Sequence, residues 1–341
     1  MSGGDGASLF GPPPEAAPVA PAETDDELQR LARRLPASLR LGTSSWSFPG
    51  WQRIVYGGEY DEARLARDGL PAYARHPLLR TVGIDRSFYQ PLSAQQYAAY
   101  ARQVPEEFRF LVKAPARVTD ALLRAERGRP AEENLAFLNA EVTVEQFVVP
   151  ALRGLGRRAG PLVFQLSPLS HRLTADGGRM LIERIGEFAA ALPREVDGIA
   201  PVYAFELRNA ELLPPRLVRT LHDAGVRLCL GIHAAMPPAA RQAAALRAMD
   251  APAAEGDHWT LKGPLVVRWN LHAGLRYEEA KSRYAPFGRL IDPDLITRGT
   301  LAHLAHVAIR SGQPAFIIVN NKAEGSAPLS CIELARAIVG T

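Results

Sequence analysis

The chain has 341 residues, of which 47% are hydrophobic, and its formal net charge is +4. This length can hold one (β/α)8 barrel of ~250 residues with additions, or two ordinary domains. The sequence has no run of ~20 apolar residues and no basic-then-apolar leader, so we expect a cytoplasmic protein with no membrane partner. Cys229 and Cys331 lack metal-ligand spacing and are predicted to be buried, reduced thiols.

The N-terminal residues differ from the rest of the chain in charge. Residues 1–27 contain six acidic side chains and no lysine or arginine, so their formal charge is −6 and residues 28–341 have a formal net charge of +10. The same stretch is rich in Gly, Pro and Ala and cannot bury enough apolar surface to offset its ordering entropy. We therefore predict a disordered tail at 1–27 and a single domain at 28–341. The basic body suggests an anionic ligand, although solubility explains it as well.

Eight short apolar runs, each ending in a polar or charged residue, divide the body of the chain. Segments of helical or mixed character separate most of them, an alternation typical of parallel α/β proteins. Eight such units predict a closed (β/α)8 TIM-type barrel, whose strand C-termini form the face that carries the chemistry. The predicted strands are 39–44, 80–85, 108–113, 162–166, 202–207, 227–232, 265–269 and 315–319.

Three connecting segments have a distinctive composition. The first βα connection is long and carries Trp46 and Trp51, so we expect it to be ordered over the barrel mouth. Residues 116–157 are predicted to be a long helical stretch. Residues 272–294 are predicted to be an irregular insertion after the seventh strand.

The fifth strand offers a candidate acid/base pair. Side chains alternate along a strand, so Glu206 and Arg208 share a face near its end. A carboxylate held ionised beside a guanidinium can accept a proton or orient a hydroxyl group. A structural ion pair at the barrel rim fits the same pattern. In the catalytic case, replacing Glu206 by Gln should abolish turnover and leave the melting temperature roughly unchanged.

Lys113 and Asp85 are the other candidate catalytic residues. The chain has four lysines against 36 arginines, so a lysine at the end of the third strand is unexpected where a plain positive charge would suffice. An inward Lys113 could bind a carboxylate or phosphate, and with a depressed pKa it could act as a base or form a Schiff base. A rim lysine that reaches into solvent is the alternative. Asp85 ends the second strand.

The remaining candidates are substrate-binding groups at other strand ends and on the first loops. Arg268, Asn270 and His272 lie two residues apart, and paired amides suit polyols, carboxylates or a buried polar network. Trp46 and Tyr89 could stack on a ligand or pack the loops. The predicted binding set is Ser44, Trp46, Tyr89, Gln165, Arg208, Arg268, Asn270, His272, Asn320 and Asn321.

Cofactor motifs are weak. Asp85, Glu206, His233 and His272 lie near the ends of four strands, which is how metal-dependent barrels collect ligands. However, no HxH, HExxH or CxxC spacing is present, so we predict no metal and no other cofactor, with a catalytic metal as the alternative. Residues 324–328, at the start of the last helix, could seat an anion.

Seven motifs together resemble the DUF72 family, a bacterial and archaeal group that is similar to TIM barrels and has no established function. In order and spacing they cover about residues 39–339. The matching segments are GTSSWSFPGW (42–51), VGIDRSFYQPL (82–92), FRFLVKAP (108–115), GPLVFQLSP (160–168), YAFELRN (203–209), VVRWN (266–270) and FIIVNNKAEGSAP (316–328). The resemblance implies a TIM-type barrel but no particular reaction.

The chain is a divergent member by this resemblance. Gly83 stands where the family pattern has Glu, and Asp120, Asn209 and Asn270 stand where it has His. Asp85 stands in place of Asn. If the missing groups carry the family's chemistry, this protein has altered or lost it.

Three classes of function follow from these observations. The first is an enzyme, such as a hydrolase, lyase or isomerase, that uses acid/base and electrostatic catalysis on a small polar or anionic substrate: a sugar, carboxylate or phosphate compound. The second, motivated by the missing histidines, is a non-catalytic small-ligand-binding or regulatory barrel. The third is a nucleic-acid-binding protein, which the basic body favours but the general preference for arginine weakens. The oligomeric state is not predicted.

Overall fold

The fold is a closed barrel of eight parallel strands. In the computed structural model, which describes residues 17–123, 132–250 and 259–340, the strands pair in sequence order and β8 pairs with β1. The strands are β1 Leu39–Thr43, β2 Leu79–Ile84, β3 Arg109–Lys113, β4 Ala159–Gln165, β5 Val202–Glu206, β6 Arg227–Ile232, β7 Leu265–Trp269 and β8 Ala315–Val319. The predicted TIM-type barrel is confirmed.

Every strand begins and ends within three residues of its predicted range. β6, β7 and β8 have the predicted bounds, and the largest difference is that β4 begins at Ala159. Strands of a parallel sheet are buried on both faces, so their sequences are near-continuous apolar runs. The first polar residue after each run marks the point where the chain leaves the core.

Helices surround the barrel on its outside. They are α1 Asp26–Arg34, α2 Glu62–Asp68, α3 Leu70–Tyr73, α4 Arg86–Tyr89, α5 Ala94–Ala101, α6 Ala116–Thr119, α7 Ala140–Thr143, α8 Val149–Leu155, α9 His171–Ala191, α10 Pro215–Asp223, α11 Ala239–Asp250, α12 Tyr277–Tyr284, α13 Leu295–Arg310 and α14 Ala327–Gly340. None of these described helices combines the length and the apolar composition needed to cross a membrane.

The prediction of one long helical stretch at 116–157 is wrong. α6 ends at Thr119, and Leu138 has a positive φ of 50° that no helix interior adopts. A π-helical turn at Val144–Val148 separates α7 from α8, and Pro150 lies in the first turn of α8. Residues 124–131 of the stretch lie outside the described residues.

The prediction of an irregular insertion at 272–294 is also wrong in part. The segment contains α12, whose Ala280 and Tyr284 are buried against Leu271 in a small separate cluster. Acidic side chains begin this helix and basic ones end it, which suits the helix dipole. Two buried residues per two turns is too narrow an apolar stripe to stand out in the sequence.

The barrel interior is filled by apolar side chains. They form a cluster distinct from the larger core between strands and helices, and each fully buried aliphatic side chain contributes ~1.5–3 kcal/mol by leaving water. The filling consists of Leu111, Val163, Ala204, Cys229, Val266 and Ile318. The barrel is therefore a packed core with no channel, and ligands can approach only from its ends.

The residues just before α1 pack on the barrel. Val19 is buried, the Ala20 N–H donates to Tyr60 Oη at 3.0 Å, and Pro21 bridges to Tyr56. Residues 17–27 are therefore ordered, unlike the predicted tail, because the aromatic β1–α2 connection offers them an apolar surface. The tail prediction for residues 1–16 lies outside the described residues.

Candidate functional site

Polar side chains stand one layer above the apolar filling, at the C-terminal ends of the strands. Because side chains alternate along a strand, the residue two positions after an inward-facing one also points inward. The residues two positions after Leu111, Val163, Ala204, Val266 and Ile318 are Lys113, Gln165, Glu206, Arg268 and Asn320. Five predicted site residues thus meet at the barrel mouth.

Arg268 on β7 is the centre of this layer. Its Nη1 donates to Glu206 Oε2 at 2.6 Å and to Gln165 Oε1 at 2.8 Å. Its Nη2 donates across the mouth to both oxygens of Asp85, at 3.1 and 3.2 Å. Burial alone would lower the pKa of Arg268, but Glu206 and Asp85 outweigh it and the pKa is raised. The guanidinium is a permanent cation that joins three strand ends.

Glu206 on β5 is fully buried, and each of its two carboxylate oxygens faces a donor. Oε1 lies 2.7 Å from Arg208 Nη2 and accepts from Asn270 Nδ2 at 3.1 Å, while Oε2 accepts from Arg268. Burial alone would raise the pKa of Glu206, but Arg208, Arg268 and Lys113 together hold it below its ordinary value. An ionised carboxylate with both oxygens occupied is a poor proton acceptor, in contrast to the role predicted from the sequence.

A glycine makes room for this carboxylate. β6 contributes no side chain above Cys229, because the next inward position is Gly231. A Cβ atom there would lie 2.8 Å from Glu206 Cγ and 2.9 Å from its Oε1. A glycine inside a strand often marks such a close approach, so the sequence did carry this signal.

Lys113 on β3 differs from its neighbours in the layer. It is 8% exposed, and its Nζ lies 3.3 Å from the centroid of the Phe88 ring. Within the described chain no hydrogen bond to Nζ is found. The pKa of Lys113 is lowered to about 8: burial is the largest cause, Arg268 and Arg208 act in the same direction, and Asp85 and Glu206 oppose them. Lys113 is therefore an amine that titrates close to neutral pH.

A second lysine at the mouth was not predicted. Asn320 Nδ2 donates to Ser44 Oγ at 2.8 Å, and Lys322 Nζ donates to Asn320 Oδ1 at 3.2 Å. Lys322 is 6% exposed, and its Nζ lies 4.3 Å from the centroid of the Tyr277 ring on α12. Burial and Lys281 lower the pKa of Lys322. The scarcity of lysines could have marked Lys322, but its position beyond the strand hid its orientation.

Asn321 does not point into the mouth. Its Oδ1 accepts from Trp51 Nε1 at 3.1 Å and from the N–H of Ala327 at 2.8 Å, and the residue is 1% exposed. It therefore ties the β1 loop to the first turn of α14. The prediction that both asparagines bind substrate holds geometrically only for Asn320, because adjacent side chains leave a strand on opposite sides.

The two predicted aromatic ligands lie in different environments. Trp46 is buried, and its ring packs edge-on against Tyr100 with centroids 5.4 Å apart, so it belongs to the core. Tyr89 is 74% exposed and packs edge-on against Phe88. Phe88, Tyr89 and Leu122 line a cavity of about 200 Å³ beside the mouth. Only Tyr89 is placed to touch a ligand.

Two histidines flank the layer. His272 is half-buried, its Nδ1 lies 2.7 Å from the carbonyl oxygen of Ala273, and its backbone N–H donates to the Lys322 carbonyl. His233, which follows β6, accepts the N–H of Ala235 on Nδ1 at 3.2 Å. Burial and Arg208 lower the pKa of His233, so it is a neutral imidazole at the edge of the site.

The mouth has two unlike halves. Above β4–β7, Gln165, Glu206, Arg208, Arg268 and Asn270 bind one another. Above β8, β1, β2 and β3, which are consecutive in the barrel, stand Asn320, Ser44, Asp85 and Lys113, with Lys322 beside them. Of these ten, four are cationic and two anionic, and Asp85 is the more exposed carboxylate at 35%. The half above β8–β3 thus carries the more exposed carboxylate, and the surplus positive charge of the layer favours an anion.

The residues considered as metal ligands do not converge. Asp85 and Glu206 both face Arg268, and a cation would have to displace that guanidinium. Over the described ranges, no three His, Cys, Asp or Glu side chains are grouped so that they could hold a metal ion.

Comparison with known proteins places this chain in a family. Two solved structures of DUF72 family proteins are similar to it, each at 17% sequence identity. The one from Enterococcus faecalis has a TM-score of 0.57 and covers 88% of this chain and 95% of its own. The one from Thermotoga maritima has a TM-score of 0.58, with 87% and 98% covered. No curated protein matches the sequence. The sequence profile of the family described as "Protein of unknown function DUF72" matches residues 40–340, and the chain therefore belongs to the DUF72 family.

Proposed function

We propose that the protein is a cytoplasmic enzyme that acts on a small anionic substrate at the C-terminal face of the barrel, by acid/base and electrostatic catalysis. The observation that carries this proposal is Lys113, a buried amine with a pKa of about 8 that lies in a cluster of surplus positive charge. An amine that titrates near neutral pH can accept a proton from a substrate and return it.

The other residues divide into ligand-binding and positioning groups. Lys322, Asn320 and Ser44 would bind the anionic and hydroxyl groups of the substrate. Asp85 is the carboxylate that a substrate could touch. Arg268, Glu206 and Gln165 are positioning residues, since Arg268 donates to the Glu206 carboxylate and to Oε1 of Gln165. The candidate proton acceptor is thus Lys113 rather than Glu206.

The test is a thermal-shift screen combined with mass spectrometry of metabolites that copurify with the protein. The panel contains small carboxylates, sugar phosphates and their neutral analogues. We expect anions to stabilise the protein, their neutral analogues to have little effect, and at least one bound anion to be converted to product. The Lys113→Met variant should give no product although it is folded and no less stable than the wild type. If no anion stabilises the wild-type protein, the proposal is wrong.

A non-catalytic binding barrel is the second candidate. It is favoured by the network around Arg268, in which the Glu206 carboxylate and Gln165 Oε1 accept from Arg268 and lie within contact of Arg208. The same screen separates the two candidates, because a binding barrel would be stabilised by an anion that is recovered unchanged.

A further inference from the structure

Lys113 is placed for covalent chemistry as well as for proton transfer. Its Nζ rests on the Phe88 ring at 3.3 Å and makes no hydrogen bond to a described residue, so its lone pair is not committed to a neighbour once the proton has left. The three other lysines are less suited: Lys322 donates to Asn320, and Lys262 and Lys281 are exposed.

Burial of Lys113 keeps part of the amine neutral at physiological pH. With a pKa of about 8, about a quarter of the sites are uncharged at pH 7.5, against about one in a thousand for an ordinary lysine. The neutral amine is the form that attacks a carbonyl carbon.

Asp85 lies among the three cations that a carbonyl substrate would meet. It accepts two hydrogen bonds from Arg268, and it raises the pKa of both Lys113 and Lys322 relative to the effect of burial alone. The Asp85 carboxylate therefore acts electrostatically on both ammonium groups. One lysine can react while the other binds an anionic group on the same small molecule.

We propose that Lys113 forms an imine with the aldehyde or ketone group of a substrate that also bears a carboxylate or phosphate, held by Lys322 and Asn320. This inference rests on the proposed function and names the substrate class for it. The amine nitrogen attacks the carbonyl carbon, and the π electrons of the C=O bond move to oxygen. The nitrogen gives up its two protons in turn, the first to that oxygen, which becomes a hydroxyl group, and the second to the hydroxyl group as it leaves. The products are an imine and one water molecule, with no change of oxidation state.

The experiment is reductive trapping with sodium cyanoborohydride. Full-length protein is incubated with pyruvate or glyoxylate, and with acetone or acetaldehyde as neutral carbonyl controls, from pH 6.5 to 9.5. Intact-mass and peptide analysis then locate the reduced adduct. We expect one adduct, on Lys113, at least tenfold more abundant with the anionic probes, whose yield rises with pH around a midpoint near 8.

Two variants control the assignment. Lys113→Arg keeps the charge and should lose the adduct while retaining its melting temperature, whereas Lys281→Arg should trap as the wild type does. Absence of a Lys113 adduct over the whole pH range, or equal labelling of all four lysines, overturns the imine. If the same anions still stabilise the wild type in that case, the proposed function survives without it. If they neither stabilise nor label the protein, both fail.

Discussion

Arg268 and Glu206 share a 2.6 Å hydrogen bond at the top of the barrel, although the arginine is only 2% exposed and the carboxylate is fully buried. Burying both charges of such a pair costs desolvation energy, so the intact pair contributes little net stability. Removing one partner is strongly destabilising, because the other charge stays buried without a counter-ion. Because of this pair we assign Glu206 a positioning role. Lys113 is then the candidate reactive group.

Replacing Glu206 by Gln should destabilise the protein. The change leaves Arg208 and Arg268 buried without their shared anion, so we expect the free energy of unfolding to fall by about 3 kcal/mol in urea denaturation. The residue pattern alone suggested an unchanged melting temperature. The control is Glu183→Gln, which breaks the exposed pair with Arg216 and should cost less than about 1 kcal/mol. Equal stability of both variants would contradict the buried network.

Lys113 should make stability depend on pH in a defined direction. Its pKa is about 8 in the folded protein and near 10.5 in the unfolded chain, so between these values the unfolded state binds more protons and stability rises with pH. The penalty of burying the ammonium, about 3 kcal/mol, is complete below pH 8 and relieved by pH 10.5. Lys113→Met should thus be more stable than the wild type at pH 7, with the difference shrinking at pH 10. A pH-independent difference in urea midpoints would refute the lowered pKa.

Replacing Lys322 by Met should weaken anion binding without unfolding the protein. The variant loses the cation that contacts Asn320 and keeps an apolar side chain against Tyr277. A charge-assisted contact contributes ~1.5–3 kcal/mol, so the dissociation constant of a bound carboxylate should rise about tenfold or more in calorimetry. Lys281→Met is the matched control on α12. Binding that both variants retain would remove Lys322 from the site.

Asn321 should matter for stability and not for ligand binding. Asn321→Ala removes the acceptor of two buried N–H groups, those of Trp51 and Ala327, and we expect a loss of about 2–4 kcal/mol. Asn320→Ala, at the half-buried neighbouring position, should cost less stability but reduce anion binding. The comparison needs only melting curves with and without ligand. The opposite ranking would mean that the two side chains are exchanged in role.

A methyl group at Gly231 should disturb the site from below. In Gly231→Ala the new Cβ meets Glu206 Cγ at 2.8 Å, and the carboxylate is fixed by Arg208 and Arg268 and cannot move cheaply. We expect a loss of about 1–3 kcal/mol, as for other overpacked cores. Gly299→Ala on the exposed side of α13, where a Cβ meets nothing within 4 Å, should be neutral or stabilising. Similar thermal stability of the two variants would count against the close packing under Glu206.

The local sequence was sufficient to predict the positions of the strands and many of the residues at the barrel mouth. Each apolar run is about as long as a strand buried on both faces, and in a closed parallel barrel all C-terminal ends must meet at one rim. The sequence alone therefore allowed five residues to be assigned to one site: Lys113, Gln165, Glu206, Arg268 and Asn320. The breaks between the short helices in residues 116–157 could not be predicted in the same way, because several short helices and one long helix have the same apolar period.

The sequence by itself determined which strand ends meet and which polar residues they carry, because alternation and parallel closure are properties of the backbone. Only the tertiary structure decided which of those groups pair with one another and which face the barrel mouth. Contacts across the barrel saturate Glu206 with Arg208 and Arg268, turn Asn321 toward Trp51, and bring Lys322 in from beyond its strand. Such pairings depend on distances between residues far apart in the chain, and no local pattern encodes them. The burial that lowers the pKa of Lys113 is likewise a property of the assembled barrel.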